Sequence, residues 1–356
     1  MKKTKKLTGG KRALLIVGIT LVSIIALFLI ALLCLHLLTP TVYGEFFDGA
    51  RVEYKAPGLS EGFIPQGFAI AEEGNVYLQC GYMKDSSQAS RVYLTDVKSG
   101  ESYYIELYLP DGKPYTGHTG GITTARDLVF IANDGEGEDN CVWVITLEAV
   151  LGCEKEGKLI LKNKFNPETR AAYCFADEDY LWVGEFYNES YPTDESHAFE
   201  VSGGINKALI CAYALDDSSF YGIAYSTVFD DESEEYKDVF IPELCLSVTD
   251  QVQGFTVDEG GRIILSTSYG MASSHLLFYS PIDKNDPDAM LDFYENDIPV
   301  YYLDADSLQR DVPMPPMSEE IFVKGDRVFV CFESATTKYI FGNFTRGRHI
   351  YSFELE

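Results

Sequence analysis

Basic residues are scarce in this chain of 356 residues: 28 Lys and Arg stand against 55 Asp and Glu, for a net charge of −27. Six of the 28 fall within the first twelve positions, MKKTKKLTGGKR, so the remainder carries 22 basic residues against all 55 acids, about −33. A field of that sign repels phosphates and excludes nucleic acid as a partner. It suits a solvated secreted surface, cationic partners or Ca2+. Catalytic signatures are also missing: no GxSxG, HExxH, Walker or dinucleotide-glycine pattern occurs. No two cysteines form a CxxC pair, which argues against a thiolate zinc site. Seven cysteines lie outside the N-terminal apolar run (Cys80, Cys141, Cys153, Cys174, Cys211, Cys245 and Cys331), and an odd number cannot all pair internally. Cys80, Cys174, Cys211 and Cys331 sit in apolar strand patterns, where a thiol acts as a small hydrophobe.

Charge is absent altogether from residues 13–38. That run exceeds the ~20 residues an α-helix needs to cross the hydrocarbon core, and its cationic flank is expected to stay in the cytoplasm. A cleaved signal peptide shares the basic start, but its apolar part usually spans ~7–15 residues and ends at a small-x-small site; HLLTPTVYG matches such a site poorly. No lipobox-like Cys follows. The expected organisation is a cytoplasmic basic tail (1–12), a transmembrane signal anchor (13–38), a linker (39–49) and an extracellular domain (50–356), placing the protein in the plasma membrane as a single-pass protein.

That domain repeats itself. QGFAIAEEGNVYLQCGY (66–82), GGITTARDLVFIAND (120–134), AAYCFADEDYLWVGEF (171–186), QGFTVDEGGRIILSTSY (253–269) and EEIFVKGDRVFVCFES (319–334) each read as apolar strand, tight turn, apolar strand. A third run follows each: RVYLTD, CVWVITL, ALICAYAL, HLLFYS and RHIYSFEL. Fourth strands are expected in SYYIELYL, KLILKNKF, FYGIAYSTVF and IPVYYLD, while the fifth copy runs out of chain. ARVEYKA (50–56) can supply that missing strand and close a ring without open edges. The pattern predicts an all-β, five-bladed β-propeller of four-stranded antiparallel blades preceded by one transmembrane helix. A sixth blade hidden in 216–252 is the alternative, and a β-sandwich is the other all-β competitor.

Antiparallel order places the chain entry of each inner strand on the same face as the residues just past the second strand. Gln66, His118, Gln253 and Glu319 enter there, beside Gly81 and Tyr82, Asn133 and Asp134, Glu185, Ser268 and Tyr269, and Glu333 and Ser334. Turns on the opposite face are short (AEEGN, ARD, DEGG, VKGD), whereas loops on this face run from 185 to 207 and from 333 to 347. Long loops on a rigid scaffold concentrate binding residues. The candidate ligand-binding residues are therefore Gln66, Tyr82, His118, Asn133, Asp134, Glu185, Gln253, Tyr269, Glu319 and Glu333. Their carboxylates and amides are hard oxygen ligands of the kind Ca2+ takes, and NDGEGEDN (133–140) is acidic without EF-hand spacing; its plainer reading is a solvated loop. His118 is read first as a plug of the channel, then as a ligand contact, then as a base. His275 and His349 begin third strands and read as structural.

The set PQGF, HTGGI, VQGFTVD and STSYGMASS, with the blade pattern around it, resembles extracytoplasmic bacterial propeller proteins of unassigned function. At fold level, over about residues 50–356, it is loosely similar to NHL-like and lactonase propellers, and no lactonase metal-ligand motif carries over. The resemblance implies the architecture and leaves activity open. The leading expectation is an envelope module binding a glycan, a small molecule or a protein. The alternative is a carboxylate- or Ca2+-dependent hydrolase of glycan or lactone at the channel mouth, where carboxyl separation sets the chemistry; a purely structural scaffold is the third.

Overall fold

Alternating β-branched and aromatic runs separated by acidic or Gly turns form hairpins here, and the hairpins stack radially. A computed structural model describes residues 9–71, 75–230, 234–339 and 341–355. Most of the N-terminal basic tail and the centre of the AEEGN turn lie outside the described residues.

Blade 1 is built from Phe63–Ala71, Val76–Met83, Arg91–Asp96 and Ser102–Tyr108. Blade 2 uses Gly121–Ala125, Leu128–Asn133, Cys141–Thr146 and Asn163–Phe165. Blade 3 uses Tyr173–Ala176, Tyr180–Gly184, Ala208–Ala214 and Leu244–Val248. Blade 4 uses Val252–Val257, Ile263–Thr267, Ser274–Tyr279 and Leu308–Met314. Blade 5 has Ser318–Lys324, Arg327–Phe332 and His349–Glu354, and Ala50–Lys55 pairs antiparallel with the last of these, Ala50 opposite Phe353 and Lys55 opposite His349. The N-terminal strand therefore closes the ring as expected. Each blade interface buries its own apolar cluster: Ile122 and Cys80 between blades 1 and 2, Val183 and Phe130 between 2 and 3, Phe255 and Trp182 between 3 and 4, Ile264 and Val330 between 4 and 5, Phe68 and Phe329 between 5 and 1. Burial of these faces, at ~25 cal/mol per Å2, is what holds the ring.

The outer strands differ from expectation in three blades. KLILKNKF is split: Lys158–Ile160 runs parallel to the outer strand of blade 1, and only Asn163–Phe165 completes blade 2. IPVYYLD belongs to Asn296–Tyr302, which lies parallel to the outer strand of blade 3 and carries Ala289–Phe293 beside it. The fourth strand of blade 4 is Leu308–Met314 instead. FYGIAYSTVF contributes to a separate hairpin, Ser226–Asp230 with Glu235–Val239, and Leu244–Val248 completes blade 3, so 216–252 holds no sixth blade among its described residues. An outer strand presents an unpaired edge that a strand from either neighbour can cover, and the chain uses two of its long connections as straps onto the preceding blade.

Helix α1 (Gly9–Val42) is long and apolar enough to cross a membrane. The stretch expected as a linker is instead helical: α1 runs to Val42, and helix α2 (Gly44–Gly49) follows, burying Phe46 completely against Phe332, Tyr351 and Phe353. All cysteines carry free thiols; Cys211 and Cys245 lie opposite each other on adjacent strands, their sulfurs 2.8 Å apart.

Candidate functional site

An inner strand has no neighbour on its axial side, so its outward N–H groups need other partners. Glu320 supplies them: it is 1% exposed, and its Oε2 accepts hydrogen bonds from the N–H of Phe68 in blade 1 (2.6 Å) and of Ile122 in blade 2 (2.9 Å). Burial drives its carboxyl well above the usual range, against the pull of these N–H groups and that of Cys174. Close approach at the axis also explains the QGF glycines. A Cβ on Gly67 would lie 2.6 Å from the backbone nitrogen of Ile122, and one on Gly254 would lie 2.8 Å from the Cα of Glu320.

Three inner strands begin with a β-bulge. Pairing jumps from Pro65 opposite Gly81 to Gly67 opposite Cys80, from Val252 opposite Thr267 to Gly254 opposite Ser266, and from Ser318 opposite Phe332 to Ile321 opposite Val330. A bulge re-aims the extra side chain, and the residues so freed are Gln66, Gln253 and the Glu319–Glu320 pair. Thr119, Gln251 and Met317, just before inner strands, adopt φ of 50°, 64° and 65°, the strained backbone that collects at ligand-facing turns.

These devices open a cavity of about 470 Å3 over the axis, within the size range of small-molecule sites. Eight of the ten expected residues line it: Gln66, Tyr82, His118, Asp134, Gln253, Tyr269, Glu319 and Glu333. Asn133 and Glu185 do not. Asn133 is 4% exposed and braces the backbone, accepting from the Thr119 N–H (3.2 Å) and donating to the Asp139 carbonyl (2.7 Å). Glu185 is 1% exposed and ties down the long 185–207 loop through His197 (3.0 Å) and the N–H groups of Leu209 (3.0 Å) and Arg170 (3.2 Å). Burial works to lower the His197 pKa, but the hydrogen bond and charge of Glu185, with Asp194, outweigh it and raise the imidazole pKa.

Charge inside the cavity is partly paired and partly held by polar contacts. Gln66 Nε2 donates to Glu333 (3.1 Å); Arg170 pairs with Asp134 (2.8 Å). Lys338 donates to the Tyr82 hydroxyl and lies 5.0 Å above the Tyr339 ring. Burial pushes the Glu319 carboxyl well above its usual range, and the neighbouring Glu333 adds to this; burial raises Glu333 too, against Lys338. His118 stacks on Tyr82 with centroids 4.9 Å apart. Its ring is open to the cavity, yet the surrounding walls and then the charge of Lys338 push its pKa down to about 4. It is therefore a wall residue stacked on Tyr82 and held toward its neutral form. Phe186, Tyr191 and Tyr269 add an aromatic side.

Sequence reasoning missed Arg170, Lys338, Tyr339, Tyr191 and Phe186. Arg170 stands immediately before AAYCF, the third repeat copy, and that entry was legible from the repeat; the others come from irregular loops or directly follow a strand. Among the described residues no three His, Cys, Asp or Glu side chains gather as a metal-binding group. The acids of NDGEGEDN are partly engaged elsewhere, Asp134 with Arg170 and Glu138 with Lys164 (3.2 Å).

No family model and no curated protein matches the chain. Solved structures with propeller-like architecture do. The PQQ-bound aldose sugar dehydrogenase from Streptomyces coelicolor is 14% identical, with 85% of this chain and 96% of that one covered at a TM-score of 0.43. BamB from Moraxella catarrhalis is 7% identical (82% and 85% covered, TM-score 0.32), and a candidate 6-phosphogluconolactonase from Bacteroides uniformis is 12% identical (74% and 77%, TM-score 0.35). At this distance the likeness is one of architecture, and no ligand or reaction passes from them to this chain.

Proposed function

We propose that the protein is a membrane-anchored binding module that holds its propeller outside the cell and takes an uncharged, hydroxyl-rich ligand, a carbohydrate segment, in the axial cavity. The observation that carries this reading is the cavity's composition. Amides from Gln66 and Gln253 and hydroxyls from Ser268 and Tyr82 offer donors and acceptors, Tyr191 and Tyr269 offer ring faces, Arg170 pairs with Asp134, and the charge of Lys338 bears on Glu319 and Glu333. A site so balanced favours a partner that brings hydrogen bonds without charge. The basic tail of residues 1–12 supports an N-terminus kept in the cytoplasm.

The test is calorimetric titration of the full chain in neutral detergent with glycan fragments, set against amines and carboxylates of similar size. Glycan binding is expected, weakened about tenfold in Gln253→Ala, the loss of roughly one well-made hydrogen bond, and similarly in Tyr269→Ala, with the thermal midpoint unchanged. Selective capture of amines or carboxylates would sink the proposal. A second reading draws on Glu319 and Glu333, two carboxyls raised side by side as a general acid requires. Turnover of a glycan or lactone, abolished in Glu333→Gln, would replace binding with hydrolysis.

A further inference from the structure

Helix α1 is longer than a bilayer needs. Its 34 residues span ~51 Å at 1.5 Å per residue, whereas the hydrocarbon core takes about 20 residues. Counted from the end of the basic tail, those 20 finish at about residue 32. The next ten or so project beyond the hydrocarbon, and there the helix meets the propeller. Leu32 (9% exposed) and Thr39 (2%) are its buried residues, and His36 shares their face at helical spacing.

The part of the propeller that meets α1 is the blade 5 loop from Phe341 to Arg348. His36 Nδ1 lies 3.3 Å from the Phe344 carbonyl, Arg346 Nε donates to the His36 carbonyl (3.3 Å), and Phe341 packs edge-on against Phe28 with centroids 6.1 Å apart. Phe28 lies about one turn below residue 32, inside the hydrocarbon. Phe341 is 51% exposed and thus offers an aromatic face at membrane depth, where Phe is at home and a charged group is not.

Directly above this contact, a pocket of about 470 Å3 opens between α1 and blade 5, lined by His36, Phe344, Arg346, Arg348 and His349 among others. In a chain with twice as many acids as bases, this spot is basic. Neither Arg346 nor Arg348 has a carboxylate partner among the described residues; Arg348 donates to the Asn343 side chain (3.3 Å), and Lys55 sits across the strand pair from His349. Burial, Lys55 and Arg348 all hold the His349 pKa below its ordinary value.

We propose that the Phe341–Arg348 loop is a second membrane contact, in which Phe341 enters the outer leaflet and Arg346 and Arg348 hold the phosphate of an anionic phospholipid headgroup against α1. Guanidinium forks suit phosphate oxygens, and the pocket lies at the height where headgroups stand. The lipid source is favoured over free phosphate because the pocket is continuous with the membrane helix.

The inference rests on α1 being retained as an anchor, which is checked separately by the intact mass of the chain recovered from membranes. The experiment uses the full chain in neutral-detergent micelles, titrated with phosphatidylglycerol, phosphatidylcholine or inorganic phosphate and read by native mass spectrometry and thermal midpoint. Phosphatidylglycerol is expected to bind about tenfold more tightly than phosphatidylcholine, and the preference is expected to vanish in Arg346→Gln/Arg348→Gln. Because Arg346 also ties to α1, Arg348→Gln alone is the second variant; it should lose most of the preference while keeping the lipid-free midpoint. Equal binding of the two lipids, an unchanged preference in both variants, or competition by inorganic phosphate at the lipid's own concentration would overturn the lipid site. A recovered chain that begins after α1 would remove the anchor and the site together, whereas an intact chain without lipid preference removes the site alone.

Discussion

His118 shows how a single side chain reports the cavity around it. Its pKa is pushed to about 4 from 6.5, so the folded state resists the proton that the unfolded chain accepts. Above pH 6.5 both states are neutral there and nothing is lost. As the pH falls from 6.5 toward 4 the unfolded chain binds more protons, and this residue destabilises the fold. Glu319, Glu320 and Glu333, raised by burial, act in the opposite sense, since the folded chain takes up their protons first. Global melting therefore mixes the two, and the proper observable is the His118 ring by NMR with labelled histidine. Its titration is expected near pH 4, and Lys338→Met should move it upward by removing the repelling charge. A midpoint near 6.5 in the wild type would show that the walls do not shield it.

At the scale of elements, α2 is the short piece with the largest consequence. Phe46 is fully buried among Phe332, Tyr351 and Phe353, so Phe46→Ala should cost about 3–5 kcal/mol, the usual price of a large buried aromatic, measured by denaturant unfolding of the full chain. A loss under 1 kcal/mol would mean that α2 rests on the ring without belonging to it. α2 also marks where sequence reading stopped. Inner and second strands were legible because each repeat copy joins two apolar runs by a tight turn, and local hairpins need no distant information. Outer strands were legible in blades 1 and 5, as SYYIELYL and ARVEYKA, but not in the other three: KLILKNKF and IPVYYLD have the right composition for an edge, and composition does not say which blade's edge. The candidate site followed the same division. Gln66, Gln253 and Glu319 were found through strand entry, though the bulges that aim them were invisible, and Lys338 and Tyr191 lie in loops with no period to read. Glu185 was misplaced because a strand-end carboxylate facing the cavity and one turned into a loop look alike until His197 is brought beside it.

For the whole molecule, closure is the decisive contact. Ala50–Lys55 and His349–Glu354 join the two ends of the ring, and each of the five interface clusters is shared by two adjacent blades. Deleting residues 349–356 should therefore do more than remove one strand. Blade 5 would lose its third strand, the Ala50–Lys55 strand its partner, and unfolding should broaden into several steps detectable by calorimetry. A single sharp transition at the wild-type midpoint would show that the blades do not depend on closure. The same pairing sets an order in time. Ala50–Lys55 is made well before His349–Glu354 and must wait for that partner. Contacts this far apart in sequence are slow to form, and an unpaired edge invites pairing with other chains. An unfinished propeller thus stands with one strand open until His349–Glu354 is made, and the net charge of −27 opposes pairing with other copies in that interval.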